Sequence, residues 1–435
     1  MFESEVQIKL MEKLIKVLKE SPIAAYKIEE VNSESVELFY VLNKLETNRA
    51  TSIHEIEVSI YVDMDGKRGN ASFSYNPFMS EEELKELVAK KIYAAKFALN
   101  PFYEIPAPSE DKPLHIPSNF ENYSLLEAGE KVVKALLAAK QYKEGTYSAN
   151  EIFVKKTTLR ILNSKGVDLS STSYKGFVEL IPAWEVGEEE VETYTSFEFS
   201  NLDEADITAK AEEAMLFTKA RFEAKDLKLD KPVKVIIEGE DAPQYFRFFV
   251  NNLSYNYKFM HMNRFELGDD VQEGGQGDKL NITLLPIYEG ASASRAFDDD
   301  GVVLHEVEIV KDGIAKSLHG NYTFGYYLGI ENPTGSLPIC KVAPGSKSFE
   351  EMKKEPYVRC VKFSSFQFEE QSGFFGGEVR LGFYFDGEKE IPVTGFSIAG
   401  NIHESKKNMV FSKEIQVKSR YVGPKYLEFK DMTIN

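Results

Sequence analysis

Between Met11 and Phe222 the apolar residues change period from that of a helix to that of a strand and back, twice over, and few architectures accommodate that order. Met11, Leu14, Ile15 and Leu18 recur at helical spacing up to a stop near Ser21-Pro22. Strand-like runs follow at about Ala25 to Val31, Glu37 to Asn43 and Ser52 to Ser74, the last divided by the turn pair Asp65-Gly66 and alternating at Ile56, Val58, Ile60 and Val62. Ser80-Glu81-Glu82-Glu83 then reads as a capping box, in which hydroxyl and carboxylate satisfy free amides at a helix start. Leu84, Val88, Ile92, Ala95 and Leu99 form the inward stripe of that helix. A second capping box, Ser124-Leu125-Leu126-Glu127, restarts the pattern, with strands expected near Glu151 to Leu162, Val167 to Ile181 and Glu190 to Ser200 and a helix turning Ile207, Ala211, Ala214 and Phe222 inward. An alternating sheet and apolar helix stripes must cover one another, so the expected class is α+β, with an N-terminal domain of two helix-strands-helix halves. The repeat is architectural, without residue-by-residue identity.

Residues 101–123 contain five prolines, Pro101, Pro106, Pro108, Pro113 and Pro117, which deny helix and central-strand pairing and predict an exposed linker between the halves. At 435 residues the chain exceeds the size at which one core keeps growing. The charge-rich, proline-closed segment Asp226 to Pro232 places a boundary between an N-terminal domain 1–225 and a C-terminal domain 226–435. The second domain opens with an apolar strand, Val233 to Glu238, and a helix that Asp241 can cap, with Pro243 in its first turn and Phe246, Phe249, Val250, Leu253 and Tyr257 as its stripe. From Leu280 onward strand and turn dominate, apart from a short helix near Ser348 to Lys354, so this domain should be mainly antiparallel β.

The formal charge of -18, with no long Lys/Arg cluster, disfavours direct nucleic-acid binding, because counterion release needs cationic contacts. Two cysteines, Cys340 and Cys360, make neither a disulfide framework nor a zinc ribbon and suit a reducing cytoplasm as buried apolar residues. Met1 to Lys19 mixes charged and apolar residues, unlike a secretory signal, and no apolar run approaches the length of a membrane helix.

The most specific local pattern lies at Ala296 to Gly335. Phe297-Asp298-Asp299-Asp300-Gly301 is a turn, Val302 to Val310 a strand run, and Lys311-Asp312-Gly313 a second turn that folds Ile314 to Leu318 back antiparallel. Asn332-Pro333-Thr334-Gly335 stops whatever Tyr322 to Leu328 forms. Together with Ala343-Pro344-Gly345 and Ile391-Pro392-Val393-x-Gly395-x-x-Ile398-Ala399-Gly400-Asn401, this ordered series resembles the C-terminal domain of the TldD/PmbA family. Asn163-Ser164-x-Gly166 is a weaker echo in the first half. The resemblance implies a metallopeptidase-family protein of a group described as modulators of DNA gyrase; with so acidic a chain, any such effect would run indirectly, through a protein.

In the TldD branch, the resemblance further implies, the first helix of this domain carries HExxxH, two imidazoles on one zinc with a glutamate that activates water, and a cysteine near the Pro-Val motif completes the ligands. The corresponding helix here, Gln244 to Tyr257, has no histidine. The chain's six histidines are His54, His115, His261, His305, His319 and His403. Three are followed by glutamate, and none has a second histidine four or five positions on. Neither cysteine lies near Pro392-Val393. The expectation is a PmbA/TldE-like chain that holds no metal and has no catalytic residue of its own, partnered by a TldD-type subunit that carries the zinc.

For the remaining residues a plain structural role weighs against each functional one. His305, in step with Val303, Val307 and Ile309, is expected as a core or semi-buried histidine, and His261, between Met260 and Met262, as packing or interface. Asp298, Asp299 and Asp300 could supply paired carboxylates or bind calcium, but a turn closed by Gly301 uses Asp for local hydrogen bonds. Gln272-Glu273-Gly274-Gly275-Gln276-Gly277 leads into a strand run where a phosphate loop would open a helix, and reads as a flexible loop. Gly373 and Gly376 in Ser372 to Gly377 let a peptide backbone approach or merely turn a strand. Asp298, Thr334, Gly335, Gly373 and Gly376 are therefore the candidate peptide-channel residues. Partners expected are a TldD-type subunit, a peptide substrate and a second copy in a homodimer, with no membrane contact. Two further readings stay open: a self-associating peptide-binding or scaffold protein without a protease partner, and an autonomous hydrolase using Asp298, Asp299 or Asp300.

Overall fold

The computed structural model describes residues 2–435, with side chains from Leu10 onward. Helix α1 (Phe2–Glu20) leads into β1 (Ala25–Val41), β2 (Lys44–Met64) and β3 (Lys67–Ser74), then α2 (Glu81–Ala95) and the short β4 (Leu99–Pro101). Both hairpin tips are two-residue turns with positive φ, Leu42-Asn43 and Asp65-Gly66, whose twist matches the flanking strands. The two runs expected at 25–31 and 37–43 are one continuous strand, since the polar residues between them pair with β2 on one side and β5 on the other. Helix α2 ends earlier than its apolar stripe, and Leu99 pairs in β4 instead.

The second half repeats the order: α3 (Leu125–Leu137), β5 (Gly145–Asn163), β6 (Asp168–Val186), β7 (Glu189–Glu192), β8 (Thr195–Phe199) and α4 (Glu204–Glu223). Both capping boxes form, on Ser80 with Glu83 and on Ser124 with Glu127, each worth about 1 kcal/mol. The halves merge into one sheet of order β4-β3-β2-β1-β5-β6-β7, with β8 also on β6, joined where β1 and β5 run antiparallel. All four helices cover one face. Leu14, Leu18, Leu84 and Val88 pack on Ile28, Val58 and Ile60; Val132, Leu136, Ile207 and Met215 pack on Leu38, Ile152 and Val178.

The proline-rich segment 101–123 is exposed over 107–112, as expected of a linker, but is strapped down on either side, where Ile105, Ile116 and Phe120 are buried. Its carbonyls are taken up by side chains, Tyr103 O by Arg68 Nη1 at 2.7 Å and Pro106 O by Asn163 Nδ2 at 2.8 Å. Proline forbids helix and ladder bonds but leaves a carbonyl that a buried donor can satisfy.

The remainder of the chain comprises β9 (Lys225–Asp226), β10 (Val233–Glu238), α5 (Ala242–Asn252), α6 (Tyr255–Phe259), β11 (Ile282–Leu285), β12 (Val307–Lys311), β13 (Ile314–Ala315), α7 (Tyr322–Tyr327), β14 (Ile339–Val342) and α8 (Phe349–Met352). These are followed by β15 (Tyr357–Phe368), β16 (Phe374–Phe385), β17 (Glu390–Thr394), β18 (Phe396–Asn401), α9 (Ile402–Ser405), β19 (Val410–Phe411), β20 (Ile415–Lys418), β21 (Tyr421–Pro424) and β22 (Tyr426–Ile434). Strands β15-β10-β22-β18-β16 close on themselves through β15 and β16, while β13-β12-β11-β14-β21-β20 form an open sheet. Pairing is mainly antiparallel; β10 with β15, β14 with β21 and β9 with β17 are parallel. Helix α5 lies between these layers, Tyr245 against Phe375 and Phe429 on one side and Phe246 against Phe411 and Tyr421 on the other. Asp241 precedes α5 without a side-chain cap; its carboxylate accepts instead from Gln244 Nε2.

Candidate functional site

The most specific sequence pattern builds a turn, not a reactive centre. Asp298 is buried; its Oδ1 accepts from the amides of Asp300 and Val302, both at 3.0 Å, and its Oδ2 from the amide of Ser336 at 2.9 Å. The carboxylate thus ties the turn at 297–301 to the turn at 334–336. Gly335 has φ +73, and a Cβ there would lie 2.6 Å from Leu304 Cδ2 and 3.0 Å from Asp298 Oδ2. Thr334 Oγ1 accepts from the Gly320 amide at 3.1 Å. Asp298, Thr334 and Gly335 therefore form one structural knot. Gly373 and Gly376 pack elsewhere, a Cβ on them meeting His403 Cδ2 at 2.5 Å and Ile398 O at 2.2 Å respectively. Gly373, at φ +76, lies in the turn before β16, and Gly376 lies within β16.

Asp298 holds the Val302 amide, Val303 makes an isolated bridge to Phe297, and the strand starts only at Val307. His305 is consequently not in the core; its ring is 59% exposed, with Nε2 3.1 Å from Asp111 Oδ2. His261 sits exposed at positive φ between the exposed Met260 and Met262. The loop 272–277 is packed where a flexible one was expected: Gln272 is buried, and a Cβ on Gly275 or Gly277 would meet Lys407 O at 2.4 Å or Met409 O at 2.3 Å.

Asp300 lines a small interior cavity with Lys27, Tyr61, Tyr103, Asn163 and Tyr322. Lys27 Nζ donates to Asp299 O at 2.6 Å and lies 4.0 Å from Asp300 Oδ1. Burial and the neighbouring Asp298 push the Asp300 carboxyl up to about 6, against the pull of Lys27. The cavity volume is ≈ 10 Å³, room for about one water and no substrate.

A groove of ≈ 650 Å³ is large enough to take a ligand. Strand β8 forms one wall and β20 the other, with Lys210, Glu213 and Phe217 of α4, Gly239-Glu240 and Lys362 completing it. Strand β8 pairs only with β6 and β20 only with β21, so each has one unpaired edge. One end is closed where Ser292 Oγ lies 2.7 Å from Glu198 Oε2 and 2.9 Å from Ser419 Oγ. Its lysines are compensated with one exception: Lys210 pairs with Asp206, Lys362 with Glu240 at 3.9 Å, and Lys425 with Glu238 at 3.4 Å and Glu213 at 3.5 Å. Among the described residues no carboxylate lies within 4.0 Å of Lys418, and burial, with Lys210 and Lys362 nearby, holds its amine below the ordinary lysine range. None of the five sequence candidates lines this groove. Its residues are scattered from Thr195 to Lys425, and the alternation of Ile415 to Lys418 was the one local signal available.

The helix at which the family resemblance implies zinc ligands is α5. It presents Tyr245, Phe246, Phe248 and Phe249, all fully buried, and carries no imidazole. His319 approaches its end, but Nε2 donates to Val250 O at 2.9 Å and burial pushes the ring down to about 4, so it is a neutral core histidine. Burial raises both thiols, Cys340 up to about 12. Among the described residues no group of three or more His, Cys, Asp and Glu side chains converges as metal ligands would, so these residues do not fit a zinc centre. No helix among them is long and apolar enough to cross a membrane.

Residues 231–435 match the family profile of the PmbA/TldA metallopeptidase C-terminal domain. A curated protein of Methanothermobacter thermautotrophicus named metalloprotease is 28% identical over 163 residues, a match covering 33% of this chain and 35% of that protein, so the chain aligns with about a third of this relative's length. Three solved structures share the fold over essentially their whole length. A candidate modulator of a DNA gyrase from Thermotoga maritima has TM-score 0.77 and 19% identity, covering 100% of both chains. TldE from Thermococcus kodakarensis has TM-score 0.78 and 17% identity over 98% of this chain and 99% of that one. A candidate modulator of DNA gyrase from Bacteroides thetaiotaomicron has TM-score 0.79 and 15% identity over 98% of each.

Proposed function

Since this chain belongs to the TldD/PmbA family, matched through residues 231–435, we propose that it is the non-metal, PmbA/TldE-like subunit of a cytoplasmic TldD-type zinc metalloprotease that acts on unfolded peptides or peptide precursors. The observation that carries the reading is the chemistry of α5, where buried phenyl and phenol rings occupy the helix on which a TldD-type chain would bear its imidazoles. On this reading the zinc and its activated water belong to the partner, and this chain is not catalytic by itself. Its contribution is the groove lined by β8, β20 and α4, where Lys418 meets a carboxylate of the bound peptide. Any modulation of DNA gyrase is then indirect, through processing of a protein.

Co-expression with a TldD-type subunit should yield one complex by size measurement and cleavage of casein or an unfolded peptide that neither chain alone achieves. No complex and no stimulation would overturn the proposal. Within the complex, Lys418→Met should raise KM for an acidic peptide and leave a neutral one little changed.

The alternative of a self-associating peptide-binding protein without a protease partner draws on the same groove and on the open sheet edge of β2, and predicts peptide binding without cleavage under any co-expression. The autonomous-hydrolase reading loses its best residue, because the Asp298 carboxylate is already occupied by three amides.

A further inference from the structure

The face of the N-terminal sheet that the helices leave open carries two adjoining carboxylates with no cation on them. Glu151 of β5 stands directly opposite Glu179 of β6, and Phe39 of β1 stands opposite Glu151 on the other side. Phe153 and Phe177 are the next cross-strand pair on the same face, and the rings run on from Phe39 with centroids 5.7 Å and then 5.8 Å apart. All five side chains are half-buried, so each is partly shielded from water and still reachable. Among the described residues no lysine, arginine or histidine nitrogen lies within 4.0 Å of either carboxylate. Two bases on this face have carboxylates of their own, Arg49 bonding Glu37 through Nε at 2.7 Å and Lys175 pairing with Glu198. Lys155 and Lys175 form the cross-strand pair beyond Phe153 and Phe177, on the side away from Glu151 and Glu179. The Tyr194 hydroxyl donates to Glu179, while burial and the adjacent Glu179 raise the Glu151 carboxyl above its ordinary range. Like charges directly opposite one another weaken a sheet, and a cation brought from outside relieves that cost.

We propose that Glu151 and Glu179, flanked by Phe39, Phe153 and Phe177, form a subsite for the guanidinium group of an arginine in a bound peptide. The chain itself shows what such a group requires. Arg359 lies with Nη1 2.6 Å from Glu238 Oε2 and Nε 3.8 Å from Glu390 Oε1, and its guanidinium is 4.3 Å from the centroid of Phe383. Arg68 bonds Asp63 through Nε and Nη2 at 2.7 and 2.8 Å and lies 4.5 Å over Phe102. Carboxylate beside phenyl ring is thus the setting in which this protein holds its own guanidinium groups, and at Glu151 and Glu179 the same setting stands without one. A planar, weakly hydrated cation suits it, since it stacks on a ring and forks to a carboxylate. A metal ion suits it less, because phenyl rings supply no ligands and among the described residues no third ligating side chain joins the pair. Position fits as well. Glu179 pairs across to Ser196 and Phe177 to Glu198, and both β8 residues line the groove, so the subsite lies one strand, about 5 Å, beyond it. The inference rests on the reading of this chain as a peptide-binding subunit and adds the side chain that it prefers.

Fluorescence anisotropy of the purified full chain, titrated into a labelled unfolded peptide with a single arginine and into the same peptide with citrulline there, reads the site directly. Citrulline keeps the size and planarity of the side chain and removes its charge. The arginine peptide should bind about tenfold to a hundredfold more tightly, with a lysine peptide between the two. Glu151→Gln with Glu179→Gln should bring the arginine peptide down to the citrulline level and leave the citrulline peptide unchanged. Phe177→Leu should narrow the gap between arginine and lysine. Glu188→Gln with Glu189→Gln, on the exposed turn after β6, removes the same charge elsewhere and should leave the preference intact. Equal binding of the arginine and citrulline peptides by the native chain overturns the inference and leaves the peptide-binding reading standing; no binding of any of the peptides overturns both. A preference that survives the Glu151 and Glu179 changes, or that the control abolishes equally, places the effect outside this subsite and also overturns it, as does displacement of the arginine peptide by micromolar calcium.

Discussion

The sheet of the first 200 residues and the strands of the last 200 solve the same problem in opposite ways. In the C-terminal region β15, β10, β22, β18 and β16 close into a ring, and the aromatic face of α5 is shut between that ring and the open sheet beside it. In the N-terminal region one face is covered by four helices, while the other is covered only at one end, where Leu159, Ile161 and Leu169 meet Ala296 and Phe297. Further along that face Phe39, Phe153 and Phe177 stand half-buried in a row, with ring centroids 5.7 and 5.8 Å apart. Closure removes edges and concentrates stability; an open sheet keeps edges and apolar surface for something else to use. The region that matches the family profile is therefore the one whose strands close on themselves.

The contrast is easiest to break where the expected difference is greatest, in packing. Phe246→Ala, in the closed layer, should cost about 3–5 kcal/mol in denaturant unfolding, whereas Phe153→Ala on the open face should cost about 1 kcal/mol or less; equal losses would mean the open face is as tightly packed as the core. Next is acid. The His319 ring is buried and held down to about 4 from its ordinary 6.5, so its contribution is fully present above pH 6.5 and is lost as pH falls toward 4, by up to about 3 kcal/mol. His319→Gln should flatten that part of the stability profile relative to the native chain.

Smaller effects come from the turn that joins the two regions. Asp298→Asn turns an amide donor toward one of three backbone N–H groups and should cost about 1–3 kcal/mol in melting, without creating or abolishing any activity if the carboxylate is purely structural. Asp300→Asn should act in the other direction. With the carboxyl raised from 3.8 to about 6 by burial, its ionisation opposes folding increasingly as pH rises from 3.8 through 6. At pH 7 the variant should gain stability, by less than the roughly 3 kcal/mol that the shift alone represents because Lys27 loses its carboxylate neighbour, and at pH 4 nothing.

What the sequence made legible was local. Ser80 with Glu83, Ser124 with Glu127, the Asp65-Gly66 turn and the turn closed by Gly301 each declare themselves within five residues, and each forms. What was not legible depended on distant partners. The polar stretch around Asn32 to Ser35 looked like a break because alternation alone cannot show that strands lie on both sides of it. That 101–123 is strapped down at Ile105, Ile116 and Phe120 was not legible because the donors that take up its carbonyls, Arg68 and Asn163, are remote in the chain. His305 looked buried because its spacing matched a strand that in fact starts only at Val307, two residues further on. The groove brings together residues from Thr195 to Lys425, and no window of sequence contains it.

Metal analysis of the purified chain, expressed without a TldD-type partner and dialysed against zinc-free buffer, tests the central claim most directly. A companion subunit whose first C-terminal helix is filled with buried aromatic rings should retain far less than one zinc per chain. One tightly held zinc per chain would contradict the account and return the catalytic role to this polypeptide.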